Sequence, residues 1–186
     1  MKFLRSVAFG MLILLCTSLA ILPAQAAHVT VYVFDAETGN TISYMLVVME
    51  LPHGPGGVHS SFTGRGDYDS GIARMWPPNK ELEKGQKLIV NASEEYASMS
   101  DRQKAVHKKY RTASWIIKGV EPVDDYNVST IYVAISPKDS EDSCTRSFMS
   151  RGSVSSLVAK MRQSPCSAHR QAAKQIQKYK DPGKLD

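Results

Sequence analysis

The stretch from His28 to Leu51, HVTVYVFDAETGNTISYMLVVMEL, constrains the fold of this chain more than any other. From Val29 to Val33 valine occupies every second position, which is the pattern of a β-strand whose two faces have different surroundings. Residues Asp35 to Asn40 have the composition of a turn, and a second strand is predicted from Ile42 to Met49. We therefore expect a β-hairpin that opens an antiparallel β domain.

The first 26 residues have the pattern of a cleaved signal peptide. Lys2 and Arg5 precede an apolar run, and Ala24-Gln25-Ala26 places small residues where signal peptidase accepts them. A retained membrane anchor is the alternative, although the apolar run is shorter than the roughly 20 residues of a transmembrane helix. The sequence thus predicts a periplasmic or secreted protein that begins at Ala27.

Two cysteines, Cys144 and Cys166, remain after the predicted signal peptide is removed. An even pair of cysteines in an oxidising compartment predicts a structural disulfide. A metal or redox pair is the alternative, and closer spacing would be expected for it.

Five further strands are predicted from alternating or apolar segments between residues 60 and 136, and turns rich in glycine and aspartate connect them. They are Ser60–Thr63, Ile72–Trp76, Leu88–Ala92, Ala113–Ile117 and Val128–Ser136. Ser100 and Gln103 have the spacing of a capping box, which predicts a helix from Asp101 to Tyr110. Residues 27–137 are therefore predicted to form a mainly β domain of the immunoglobulin-like, antiparallel sandwich class.

The chain changes character after Pro137. Residues Pro137 to Ser143 are polar and acidic, which is typical of a linker, and apolar residues then recur at helical spacing from Val154 to Gln163 behind Ser153 as the N-cap. Ser164 and Pro165 predict the cap and first residue of a second helix that reaches about Lys180. Residues 138–186 are thus predicted to be a linker and a helical hairpin that the disulfide holds to the β domain.

The motif Val33-Phe34-Asp35-Ala36-Glu37-Thr38-Gly39 resembles the opening of transthyretin-like, or carboxypeptidase regulatory-like, β-sandwich domains. In that family a first strand ends in aspartate, an x-x-T-G turn follows, and an apolar strand comes next. Asp69-Ser70-Gly71 is similar to a later turn of the family, while Thr41 stands where the family often has proline. The resemblance covers about residues 28–137, and it implies a fold used for adhesion, folding support or ligand binding, without catalytic residues.

Positive charge is concentrated at the C-terminal end. Residues 27–143 contain 12 Lys and Arg against 16 Asp and Glu, whereas residues 144–186 contain 9 against 2. The second predicted helix and its flanks carry this charge on Arg162, Arg170, Lys174, Lys178 and Lys180. Such a stripe indicates a solvated face, a face docked on the acidic β domain, or a contact with an anionic membrane, a cell-wall polymer or an acidic protein.

Three histidines, His28, His53 and His59, form a candidate Cu or Zn site, because imidazole suits both metals. The alternative is that these histidines are solvent-exposed and bind no metal. We find no motif for catalysis, for a cofactor or for nucleic acid. The sequence thus predicts a non-enzymatic exported interaction module, such as an accessory subunit of a bacterial envelope assembly, and the alternative is a carrier of metal or of a small ligand.

Overall fold

The computed structural model describes residues 28–50, 58–64, 70–75, 85–117 and 128–179. Within these residues the chain is mainly β, with eight strands and three α-helices. The strands are β1 (His28–Asp35), β2 (Leu46–Glu50), β3 (Val58–Phe62), β4 (Ile72–Met75), β5 (Gln86–Val90), β6 (Ala113–Ile117), β7 (Val128–Ile135) and β8 (Phe148–Arg151). The helices are α1 (Asp101–Lys109), α2 (Val154–Arg162) and α3 (Ser167–Ile176). None of these described helices is long and apolar enough to span a membrane.

The strands form two four-stranded sheets. Sheet A has the order β4-β1-β7-β8, and sheet B has the order β3-β2-β5-β6. Strands β1 and β7 pair in parallel from His28↔Val128 to Asp35↔Ile135, whereas the other described neighbours pair antiparallel. The expected antiparallel arrangement is therefore wrong at the centre of sheet A.

The predicted hairpin of β1 and β2 is also wrong, because the two strands belong to different sheets. Only an isolated bridge between Phe34 and Thr41 joins their described ends, and β2 begins at Leu46 rather than Ile42. Tyr44 has a φ of 66°, which breaks the extended backbone, and the Met45 N–H donates to Thr63 Oγ1 at 2.8 Å. The chain therefore crosses from one sheet to the other within an apolar stretch whose composition also fits a continuous strand.

A common core lies between the two sheets. Alternate residues of β1 and β7 point into it, as the period-two pattern predicts. Sheet A contributes Val29, Val31, Val33, Ala73, Met75, Ile131, Val133 and Ile135, and sheet B contributes Val47, Met49, Leu88, Val90 and Ile117. Helix α1 closes one side of this core, because Val106 and Tyr110 pack against it.

The other face of sheet A is covered by α2 and α3. A second cluster joins the outward residues of sheet A to the apolar sides of both helices: Tyr32, Phe34, Ile72, Tyr132, Ala134, Phe148, Val154, Leu157, Val158, Met161, Ala172, Ala173 and Ile176. The Tyr32 and Tyr132 rings stack with centroids 5.1 Å apart. Strands β1 and β7 are therefore buried on both faces, as is usual for parallel strands.

The outer face of sheet B has a smaller cover, which comes from the segment after β5. Its cluster contains Leu46, Val48, Ile89, Ala92 and Met99. At the edges of the same sheet, Val58 and Ile116 are 43% and 64% exposed. The described residues therefore close this face of sheet B less completely than the outer face of sheet A.

Local capping explains where two of the helices begin. The Ser100 N–H donates to Gln103 Oε1 at 2.6 Å, which confirms the capping box of α1. The Ser156 N–H donates to Ser153 Oγ at 3.3 Å, which confirms Ser153 as the N-cap of α2. Helix α2 ends at Arg162, one residue before its predicted end.

The predicted start of α3 is wrong. Its N-cap is Cys166 rather than Ser164, and the helix ends at Ile176 rather than near Lys180. The Ser164 hydroxyl is instead within 2.8 Å of His169 Nδ1, and it also accepts the Cys166 N–H. Ser164 therefore stabilises the bend before α3. Its hydroxyl contacts the buried His169 ring and does not cap the helix.

The predicted disulfide is confirmed. Cys144 and Cys166 are bonded, with their Cα atoms 5.1 Å apart, so the start of α3 is joined to the chain after β7. Strand β8 lies between the two cysteines and pairs with β7, although the sequence pattern did not predict it. The residues predicted as linker and hairpin therefore also supply one strand of sheet A.

Candidate interaction surface

The candidate surface is the outward side of α2 and α3, which we call the cationic face. It is formed by the residues Arg162, Arg170, Lys174 and Lys178, all of which are exposed. Arg162 ends α2, Arg170 and Lys174 lie on α3, and Lys178 lies just after α3 rather than within it. Lys180, the fifth predicted member, is outside the described residues.

The apolar pattern of the helices positions these side chains. Leu157 and Met161 of α2, and Ala173 and Ile176 of α3, are fully buried against sheet A. Because side chains three and four positions apart share one side of a helix, the remaining positions point away from the sheet. The same burial that attaches the helices to sheet A therefore turns their charges toward solvent.

The hydrogen bonds of the cationic face are to neutral groups. Arg170 Nη1 donates to the carbonyl oxygens of Ser164 and Pro165, each at 2.7 Å. Arg162 donates to Gln177 Oε1, and Lys178 Nζ donates to Gln175 Oε1 at 3.1 Å. These contacts orient the side chains and leave their charges uncompensated.

No carboxylate of the described residues forms a salt bridge with the cationic face. The two salt bridges found in the described part of the chain are elsewhere, between Lys87 and Glu50 at 3.3 Å and between Lys104 and Glu94 at 3.2 Å. The sequence also contains no Asp or Glu between Asp142 and Asp181. The four described residues of this face are exposed, so docking on the acidic β domain stays a prediction with no contact behind it among the described residues.

A buried polar network fixes the helices beneath the charged face. His169 is fully buried, and its Nε2 lies 3.1 Å from the Cys144 carbonyl oxygen while its Nδ1 meets Ser164 Oγ. Burial lowers the pKa of His169, and the bond to the Cys144 carbonyl only partly opposes that shift. A neutral ring that donates to Cys144 and accepts from Ser164 satisfies both contacts, so His169 supports the disulfide-linked bend.

A second buried network joins α1 to the turn after β1. The Tyr110 hydroxyl donates to Asp35 Oδ2 at 2.8 Å, and Asp35 Oδ1 accepts the N–H groups of Glu37 and Thr38. Burial, together with the bond to Asp35, raises the pKa of Tyr110. All of these groups are satisfied by one another, so this network is a structural support of the turn.

The three histidines of the metal hypothesis lie on different parts of the chain. His28 begins β1 in sheet A, and His59 is a half-buried residue of β3 in sheet B. His53 is outside the described residues. Among the residues that the structure describes, no three His, Cys, Asp or Glu side chains are grouped as a metal site would require.

A pocket on the outer face of sheet B was not predicted from the sequence. Its volume is about 320 Å³, and its lining includes Lys87, Ile89, Glu95, Tyr96 and Ser114. These residues come from three separate elements, namely β5, the segment after it and β6. Since the pocket depends on pairing between strands, local periodicity contained no indication of it.

Tyr96 and Glu50 form a polar contact beside this pocket. The Tyr96 hydroxyl donates to Glu50 Oε1, and Lys87 Nζ lies 3.3 Å from Glu50 Oε2. The bond to Glu50 raises the pKa of Tyr96 to about 12, and the same bond holds the pKa of Glu50 below its usual value. Glu50 is therefore ionised at neutral pH and compensates the charge of Lys87.

Comparison with known proteins assigns no family to the chain. No protein-family model matches it, and no curated protein is significantly similar to it.

Proposed function

We propose that this chain is a non-enzymatic exported interaction module, an accessory subunit of a bacterial envelope assembly, whose cationic face binds an acidic partner protein. The observation that carries this proposal is the exposed charge of Arg162, Arg170, Lys174 and Lys178, which no carboxylate of the described residues pairs with. A row of like charges attracts an anionic partner over about a Debye length, roughly 8 Å at physiological salt.

The rigidity of the helices supports this proposal. The cationic face is carried by two helices that bury apolar residues on sheet A and that a disulfide joins to the chain after β7. A partner therefore meets two helices whose positions are already set, which lowers the entropy lost on binding.

The fold supports an assignment to the transthyretin-like sandwich class. Two four-stranded sheets share one core, and the Asp35-x-x-Thr38-Gly39 turn has the bonds that its sequence suggests. Gly39 N–H donates to the Asp35 carbonyl at 2.8 Å, and its φ is 77°. Function generally lies in sites added to a fold, and the layer of α2 and α3 over sheet A, which we call the helical layer, is the addition here.

The disulfide supports the exported location. A stable bond between Cys144 and Cys166 is consistent with an oxidising compartment such as the periplasm. It agrees with the predicted signal peptide, which lies outside the described residues.

Cross-linking in intact bacterial envelopes tests the proposal with a matched pair of variants. One variant carries Lys174→Gln and Lys178→Gln on the cationic face. The control carries Arg102→Gln and Lys108→Gln on α1, where two exposed cations are removed without touching the helical layer. We expect the cationic-face variant to lose its cross-linked protein partner and the control to keep it.

Three results would contradict the proposal. Equal loss of cross-linking in both variants would show that net charge attracts the partner, and full retention in both would show that the cationic face does not bind it. Cross-linking to anionic lipid alone, with no protein recovered, would identify the face as a membrane contact instead.

A further inference from the structure

Strand β6 is an edge of sheet B, and the described residues place neither a charge nor a proline within it. It pairs with β5 on one side, and the described residues place no strand on its other side. Exposed edges are normally guarded by charges, proline or a covering segment. Its five residues, ASWII, include neither charge nor proline, whereas the edge strands β4 and β8 carry Arg74 and Arg151.

The side chains of β6 alternate between the core and the outer face. Ala113, Trp115 and Ile117 pack toward the core between the sheets. Ser114 and Ile116 are on the opposite face, where Ile116 is 64% exposed and Ser114 lines the pocket. The outer side of this edge therefore offers one apolar contact and one polar contact, two residues apart.

The pocket beside Ser114 has a net negative character. Lys87 is compensated by Glu50 at 3.3 Å. Glu95 also lines the pocket, is exposed, and forms no salt bridge with any residue that the structure describes. Ser93, Thr112 and Ser114 also line the pocket. A cationic side chain fits this lining better than an acidic one.

We propose that β6 and this pocket bind an extended peptide of a partner protein, which adds to sheet B as a further strand. Main-chain hydrogen bonds to β6 supply the affinity, and alternate side chains supply the specificity. Because residues two apart share one face of a strand, an aliphatic residue of the peptide lies beside Ile116 while a Lys or Arg two positions away enters the pocket near Glu95. This site is on sheet B, so it does not depend on the cationic face above sheet A.

Peptide titrations followed by NMR test the proposal with the purified protein. The probe is a short peptide of threonine residues in which two threonines, two positions apart, are replaced by valine and arginine. Its comparison peptides have glutamate in place of arginine, or an N-methylated backbone that cannot pair with a strand. We expect the arginine peptide to shift the amide signals of β6 and to bind at least about fivefold more tightly than the glutamate peptide.

Two variants at opposite edges of sheet B provide a matched comparison. Ile116→Lys adds a charge to β6, and we expect it to weaken the arginine peptide about tenfold or more. Val58→Lys adds the same charge to β3, where Val58 is also an exposed apolar residue, and we expect no change. A further variant, Glu95→Gln, leaves the strand intact and removes the preference for arginine over glutamate.

Several results would overturn this proposal. They are the absence of binding to the folded protein, equal binding of the N-methylated peptide, and an equal loss in the Ile116→Lys and Val58→Lys variants. Sedimentation that shows a dimer of this chain, lost in Ile116→Lys, would make a second copy the occupant of the edge. A negative result for the peptide site would not contradict the proposal for the cationic face, because the cross-linking experiment uses different residues.

Discussion

The outer faces of the two sheets are covered in different ways. Sheet A is closed by two helices that bury aromatic residues such as Phe34 and Tyr132 almost completely. Among the described residues, the cover of sheet B comes from the segment after β5, and Val58 and Ile116 at its edges are exposed. The outer face of sheet A is thus buried under helices that carry positive charge on their outward side. The outer face of sheet B leaves the pocket and the edge strand β6 accessible.

A matched pair of leucines measures this difference in packing, and it has the largest expected effect. Leu157→Ala removes a fully buried side chain from between α2 and sheet A, and we expect a loss of about 4 kcal/mol in the free energy of unfolding. Leu46→Ala on the outer face of sheet B should cost less, about 2–3 kcal/mol, because its cluster is smaller and relaxes more easily. Urea unfolding checks both values, and equal losses would contradict the comparison.

Removal of the disulfide should loosen α3 and leave the cover of sheet B unchanged. The double variant Cys144→Ser, Cys166→Ser frees a loop with a sequence separation of 22, and we expect a loss of about 3 kcal/mol. Hydrogen exchange should become faster in α3 and stay unchanged in the segment from Ala92 to Met99. Unchanged exchange in α3 would show that packing alone holds the helix.

Gly39 and Gly152 separate a backbone effect from a contact between layers. Both have a positive φ, 77° and 76°, so alanine at either position should cost about 1 kcal/mol for the left-handed conformation. A Cβ at Gly39 would also lie 2.6 Å from the Ala172 carbonyl oxygen on α3, whereas nothing lies within 4 Å at Gly152. We expect Gly39→Ala to be the more destabilising by about 1–2 kcal/mol in thermal unfolding.

Acid should weaken the helical layer through His169. Its pKa is lowered by burial in the folded protein, so the unfolded chain takes up this proton more readily below its own pKa of about 6.5. The contribution of His169 is therefore complete above about pH 6.5 and is lost as the pH falls toward the folded pKa, with a slope of at most about 1.4 kcal/mol per pH unit. Unfolding measured from pH 7 to pH 5 should show this slope, and His169→Gln should remove it.

The sequence predicted the elements whose determinants lie within a few residues. The Ser100–Gln103 capping box, the Ser153 cap and the turn from Asp35 to Gly39 are all set by contacts between near neighbours. The disulfide was predicted from chemistry, because two cysteines remained once the predicted signal peptide was removed. These features needed no knowledge of which strands pair.

The failures share a different cause. The stretch from Ile42 to Met49 is apolar throughout, and its composition did not show that the chain changes sheets near Tyr44. Strand β8 is short and polar apart from its first two residues, so its place beside β7 depends on the partner strand. Serine is a favoured N-cap residue, but the Ser164 hydroxyl is hydrogen-bonded to the buried His169 ring instead.

The sequence by itself determined the local elements, the pair of cysteines and the concentration of positive charge near the C-terminus. The tertiary structure alone decided that this charge faces solvent and that residues of β5, β6 and the segment between them form a pocket. The physical reason is distance along the chain. Helical periodicity and capping act over three or four residues, whereas the pairing of strands and the closing of a sheet depend on residues that are far apart in sequence.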